Sequence, residues 1–91
     1  MEKQKVLIID DELDYCLIMK SYFSKKDYDT YAAYTIRDGL RLIDEVQPDI
    51  LFLDNNLPDG QGWPHVGSFV EKFPHLRIFL VSAYLQKKDF P

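Results

Sequence analysis

The sequence predicts an α/β domain: a parallel sheet with helices on both faces. Three observations lead there. Short apolar runs recur along the chain, at Lys5–Asp10, Asp49–Asp54 and Arg77–Ser82. Amphipathic segments with near-helical spacing lie between them. Two of the runs end in an acid and the third in a hydroxyl. A chain of 91 residues has room for one such domain.

The elements follow in order. Lys5–Asp10 (KVLIID) is a continuous apolar run and reads as a strand buried on both faces. Glu12–Lys25 reads as a helix, with Leu13, Cys16, Leu17, Tyr22 and Phe23 toward the core and Lys20, Lys25 and Lys26 toward water. Asp27 is a turn residue. Tyr28–Ala33 is rich in strand formers and gives a second strand. Thr35-Ile-Arg-Asp38 has the form of a capping box. The helix behind it carries Ile36, Leu40, Ile43 and Val46 on one face, and Pro48 stops it. Asp49–Asp54 is the third strand. Asn55–Pro64, dense in Asn, Asp, Gly and Pro, reads as a loop in which Asp59 is a turn residue. Pro64 suits the first turn of a third helix bearing Val66, Phe69, Val70 and Phe73, which Pro74 ends. Arg77–Ser82 is the fourth strand.

Composition narrows the function. An apolar fraction of 46% with 14% aromatics is that of a chain that buries a core. The net charge of −4 speaks against a nucleic-acid surface, which needs excess Lys and Arg. The apolar runs fall far short of a bilayer span, and the one behind the charged start stops at Asp10, so neither a membrane span nor a signal peptide is expected. One cysteine, Cys16, forms no internal disulfide and fits a reducing, cytoplasmic compartment.

In a parallel sheet the carboxyl ends of the strands share one edge, where ligands bind. That edge collects Asp10 and Asp11 from the first strand, Asp54 from the third and Ser82 from the fourth. Each acid alone would pass for a solvated strand end, or for a residue favoured by the positive end of the following helix. Together, three carboxylates repel one another unless a divalent cation sits among them. Hard oxygen ligands without His or Cys suit Mg²⁺ better than Zn²⁺, and His65 and His75 show no ligand spacing. A carboxylate beside such an ion can act as a nucleophile toward phosphorus, with Ser82 hydrogen-bonding a phosphoryl oxygen and the small Ala83 admitting the group to the backbone.

Three segments make the chain resemble the receiver domain of two-component response regulators: Lys5–Glu12 (KVLIIDDE), Ile50–Gly62 (ILFLDNNLPDGQG) and Val81-Ser82-Ala83. The resemblance runs from about residue 4 to residue 84 and takes in the spacing between the motifs. It implies a flavodoxin-like doubly wound sheet with strand order 2-1-3-4. It implies that Asp54 accepts a phosphoryl group from a sensor histidine kinase or phosphotransfer protein. Asp10, Asp11, Asp54 and the Asn56 backbone carbonyl would hold Mg²⁺, Ser82 would contact the phosphoryl group, and Asn56, Ala83 and Tyr84 would tune its lifetime. Leu57-Pro58 would shape the loop and Gly62 would permit its turn. Trp63 and Pro64 would fix the loop and the start of the third helix.

A whole receiver carries a further helix, a fifth strand bearing a Lys, and a last helix, so residues 1–91 are expected to be a receiver domain incomplete at its C-terminus, with Lys87 and Lys88 as surface charges. The fourth strand, apolar on both faces, would then be an edge through which copies pair. The role expected is phosphorelay signalling with self-catalysed phosphotransfer and dephosphorylation, not conventional enzymology. Two other readings stay open. One is a receiver-like interaction domain that is not phosphorylated. The other is a phosphohydrolase of the haloacid dehalogenase type with Asp10 as nucleophile, which wants Asp two residues further on, where this chain has Glu12, and no Thr comes after it.

Overall fold

The computed structural model describes residues 3–82. Four strands form one parallel sheet: β1 (Lys5–Ile9), β2 (Asp29–Ala33), β3 (Ile50–Asp54) and β4 (Arg77–Val81), in the order β2-β1-β3-β4. Helices α1 (Leu13–Lys25), α2 (Ile36–Val46) and α3 (Val66–Lys72) connect them, α3 being preceded by a 3₁₀ turn at Trp63–His65 that holds Pro64 near its start. This is the expected doubly wound, flavodoxin-like arrangement.

β1 lies between β2 and β3, and both of its faces are covered. Leu7 and Ile9 enter a core with Ala33, Ile43, Leu51, Leu53, Leu57 and Phe69. Val6 and Ile8 enter a second core on the opposite face with Cys16 and Ile50. Burial on two faces is why KVLII and ILFLD show no polar alternation. The ladder runs past the strand ends: the Asp10 amide donates to the Ala33 carbonyl at 3.0 Å and the Asp49 amide to the Lys5 carbonyl at 2.9 Å.

α1 turns Cys16 and Phe23 inward as expected, but not Leu13, Leu17 and Tyr22. Tyr15, Cys16, Met19 and Phe23 pack on the sheet, while Leu13, Leu17, Ile18 and Tyr22 are 53–67% exposed. Both sets have helical spacing, because the helix is apolar nearly all round and periodicity alone cannot choose between them. Leu40 and Val70 also lie more outward than expected, at 38% and 53% exposed. α2 opens as its sequence predicts: the Thr35 side chain accepts from the Asp38 amide at 3.1 Å. Its end falls at Gln47, which takes the left-handed conformation (φ 51°) directly before Pro48. Removing the cap with Thr35→Ala should lower stability by about 1 kcal/mol, read from the shift in urea midpoint.

Two features of the segment expected to be loop differ from that reading. Asn56–Leu57 and Gly60–Gln61 pair as a small antiparallel hairpin with Pro58-Asp59 at its tip. Gly60, at φ 144°, is the residue that needs glycine's freedom there. Gly62, at φ −81° and ψ −40°, does not turn the chain in any special way. It supplies room instead: a Cβ at that position would collide with the Asp54 carbonyl oxygen and come within 2.9 Å of Leu53.

Candidate functional site

β1 and β3 are neighbours in register, with Ile9 opposite Leu53, so Asp10 and Asp54 come next on the two strands. Parallel neighbours lie about 4.8 Å apart. Asp10, Asp11 and Asp54 each offer a carboxylate oxygen, and these oxygens lie within 4.8 Å of one another. Asp10 and Asp54 are buried, at 2% and 1% exposed, and Asp11 faces solvent. Asp10 is oriented by its own chain, since its Oδ1 accepts from the Glu12 amide at 2.9 Å. Val81 of β4 stands opposite Asp54, which puts the half-buried Ser82 one residue beyond that level. Asn56 follows two residues after Asp54, exposed on the hairpin. Ala83 and Tyr84 lie outside the described residues, as do Lys87 and Lys88.

The electrostatics are those of a cluster of acids. Burial, chiefly, pushes the Asp10 carboxyl up to about 6, against the hydrogen bond from Glu12 and with added repulsion from Asp54 and Asp11. Burial also raises the Cys16 thiol to about 11, with the charge of Asp10 adding to it. That thiol donates to the Asp10 carbonyl at 3.4 Å and is a packing residue. An acid whose folded pKa is raised binds its proton more tightly when folded. Stability in metal-free buffer should therefore fall as the pH climbs from about 4 to about 6, by at most about 3 kcal/mol. Denaturation midpoints across that range check it. A flat profile would show that the Asp10 carboxyl is solvated.

A set of three carboxylates, two of them buried and mutually repelling, fits a hard divalent cation with water left in its shell. It does not fit a softer ion, which would want nitrogen or sulfur.

The backbone around Asp54 is fastened by Trp63, expected to fix the loop, and by Asn55, which sequence reading did not single out. The Trp63 indole N–H donates to the Leu53 carbonyl at 3.1 Å. The Asn55 side chain accepts from the Trp63 amide at 3.2 Å, and its carbonyl accepts from the Gly62 amide at 2.9 Å. Asp59, expected as a turn residue, also caps α2: its Oδ1 and Oδ2 accept from the Ile36 and Arg37 amides at 2.7 and 3.0 Å. These two bonds hold its carboxyl below the usual carboxylate range. Asn and Asp in a loop signal turns, but nothing local says which helix an acid more than twenty residues away will cap.

Among the described residues no helix is long and apolar enough to cross a membrane.

Solved structures share the fold. The response regulator TrrA from Thermotoga maritima, in complex with Mg²⁺ and BeF, aligns with a TM-score of 0.80 at 22% identity, over 96% of this chain and 76% of that one. The non-phosphorylated HemR receiver domain from Leptospira biflexa aligns with a TM-score of 0.80 at 26% identity, over 89% and 65%. A signal receiver domain of a putative Luxo repressor protein from Vibrio parahaemolyticus gives 0.79 at 22%, and this chain spans 62% of its length. The family model for the response regulator receiver domain matches residues 6–90. The chain belongs to the response regulator receiver domain family.

Proposed function

We propose that this chain is a phosphoacceptor module in which Asp54 receives a phosphoryl group from the phosphohistidine of a sensor histidine kinase or phosphotransfer protein. The observation that supports it is the meeting of Asp10, Asp11 and Asp54 oxygens within 4.8 Å of one another at the carboxyl edge of the sheet. An Asp54 carboxylate oxygen attacks phosphorus, the O–P bond forms, the P–N bond to the donor imidazole breaks, and the electron pair leaves with the imidazole. Asp10, Asp11, Asp54 and the Asn56 carbonyl would hold Mg²⁺, which when bound neutralises charge on the phosphoryl oxygens. The Ser82 hydroxyl donates to one of those oxygens. To Asn56, and to Ala83 and Tyr84 by their places in the sequence, we assign the tuning of the acyl phosphate's lifetime against water. Burial of Asp54 keeps bulk solvent from the carboxylate until a donor arrives.

Receiver domains are signalling domains rather than conventional enzymes, and we assign this one, within residues 1–91, to the cytoplasm. Incubation with acetyl phosphate and Mg²⁺ tests the proposal: a phosphoryl adduct labile to hydroxylamine is expected by intact mass. A folded protein that takes no label from acetyl phosphate or from a histidine-phosphorylated donor would instead be an interaction domain.

We also propose that copies pair through β4. Among the described residues β4 is bonded to β3 alone, and Phe79 and Leu80 are 49% and 53% exposed. A strand paired on one side among the described residues, beside apolar surface, is suited to a second, two-fold related β4. Sedimentation over a dilution series should show a monomer–dimer equilibrium, and a monomer at every concentration would refute it.

A further inference from the structure

We infer that Asp59 is a positioning residue for the phosphoacceptor loop, fixing the Asn56 carbonyl by clamping the hairpin tip to α2. The inference rests on the reading of Asn56 as a metal ligand. The hairpin is held at both ends. At its base, Trp63 is tied to the Leu53 carbonyl and Asn55 to the amides of Gly62 and Trp63. At its tip, each oxygen of Asp59 takes one amide of the first turn of α2. A Cβ on Gly60 would come 3.2 Å from the Ile36 side chain, so tip and helix are in close approach as well as hydrogen-bonded.

The anchor is itself fixed. Ile43 and Gly39 of α2 are buried, and Ile43 packs in the core with Leu7, Ile9 and Leu53. The helix start offers donors that need partners and a positive potential that favours a carboxylate. Thr35 takes the Asp38 amide, leaving the Ile36 and Arg37 amides for Asp59. Asn56 sits between the two anchors. Cutting the tip anchor frees the two-residue strand that carries it, since a lone hairpin has little stability of its own. A carbonyl that wanders is a poorer ligand, whereas Asp54, on β3, stays in place.

Four proteins test this: wild type, Asp59→Ala, Asp59→Asn and Thr35→Ala. Mg²⁺ is titrated against Trp63 fluorescence, and labelling by acetyl phosphate is followed as a function of Mg²⁺. For Asp59→Ala the Mg²⁺ half-saturation should rise roughly tenfold, the scale of losing a group that orients a ligand. Labelling at saturating Mg²⁺ should return toward the wild-type rate. Asp59→Asn, which keeps one acceptor oxygen, should fall between. Thr35→Ala removes the other cap of the same helix; it should melt earlier but bind Mg²⁺ as wild type does. An unchanged half-saturation in Asp59→Ala, or an equal rise in Thr35→Ala, would overturn the inference. If Asp59→Ala does not fold, Asp59→Asn decides by the same criterion. Wild-type protein that takes neither Mg²⁺ nor label would overturn the phosphoacceptor reading, and this inference with it.

Discussion

Asp54→Ala is expected to abolish labelling by acetyl phosphate even at saturating Mg²⁺, while Asp59→Ala retains it there. The two acids lie five residues apart in one Asn-, Asp- and Gly-rich segment, yet their surroundings differ in kind. Asp54 ends a strand in the sheet interior, 1% exposed, with Asp10 as its neighbour across the ladder. Asp59 sits on the exposed hairpin tip, its two oxygens engaged by the amides of α2. A carboxylate already accepting two amide hydrogen bonds is a weak nucleophile. One held among other acids gains a function when a cation neutralises the group. Removing the Asp54 carboxylate also removes one of the charges that raise the Asp10 pKa, so the variant should melt no earlier than wild type in metal-free buffer. Intact mass after incubation reads the label, and a melting curve shows the variant to be folded. Label retained in a folded Asp54→Ala would place the phosphoryl group elsewhere and end the assignment.

What could be read in the sequence follows from how far apart the interacting residues are. KVLIID and DILFLD announced buried strands because burial on two faces removes alternation, a property of each segment alone. Thr35 announced the start of α2 because cap and amide are three residues apart. The gathering of Asp10, Asp11 and Asp54 could be anticipated because parallel strands must put their carboxyl ends on one edge. The inward face of α1 could be read only in part: Cys16 and Phe23 were legible, but Leu13–Leu17 and Cys16–Met19–Phe23 both have helical spacing, and only the sheet beneath selects the second. Asp59 showed itself as a turn residue; its bonds to Ile36 and Arg37 depend on how the hairpin folds back. Gly62 was read as conformational need, but its backbone is ordinary and its use is space. The difference is invisible until the Asp54 carbonyl is seen against it.

Gly62→Val is therefore expected to damage the domain in a way that a turn requirement would not explain. At φ −81° and ψ −40°, alanine or valine meets no backbone penalty. The penalty comes from the Cβ, which would overlap the Asp54 carbonyl oxygen and crowd the Leu53 side chain. Neither can retreat cheaply. The carbonyl belongs to the last residue of β3, and Leu53, 2% exposed, packs with Leu7, Leu51 and Phe69 in the core. Forced overpacking costs about 1–3 kcal/mol, and the branched valine belongs at or beyond the upper end. Against a total of about 5–15 kcal/mol for a folded domain, that is a large share. Gly62→Ala should show the same defect in smaller measure. It should also slow phosphoryl acceptance, because relief of the clash moves the backbone of Asp54. Gly60→Ala provides the contrast. Its φ of 144° makes alanine strained, but its Cβ would meet only the end of Ile36, so the strain stays at the hairpin tip. Urea midpoints should order the variants wild type, Gly62→Ala, Gly62→Val from most to least stable. If Gly62→Val unfolds at the wild-type midpoint and labels at the wild-type rate, the close approach of Gly62 to Asp54 does not govern this site.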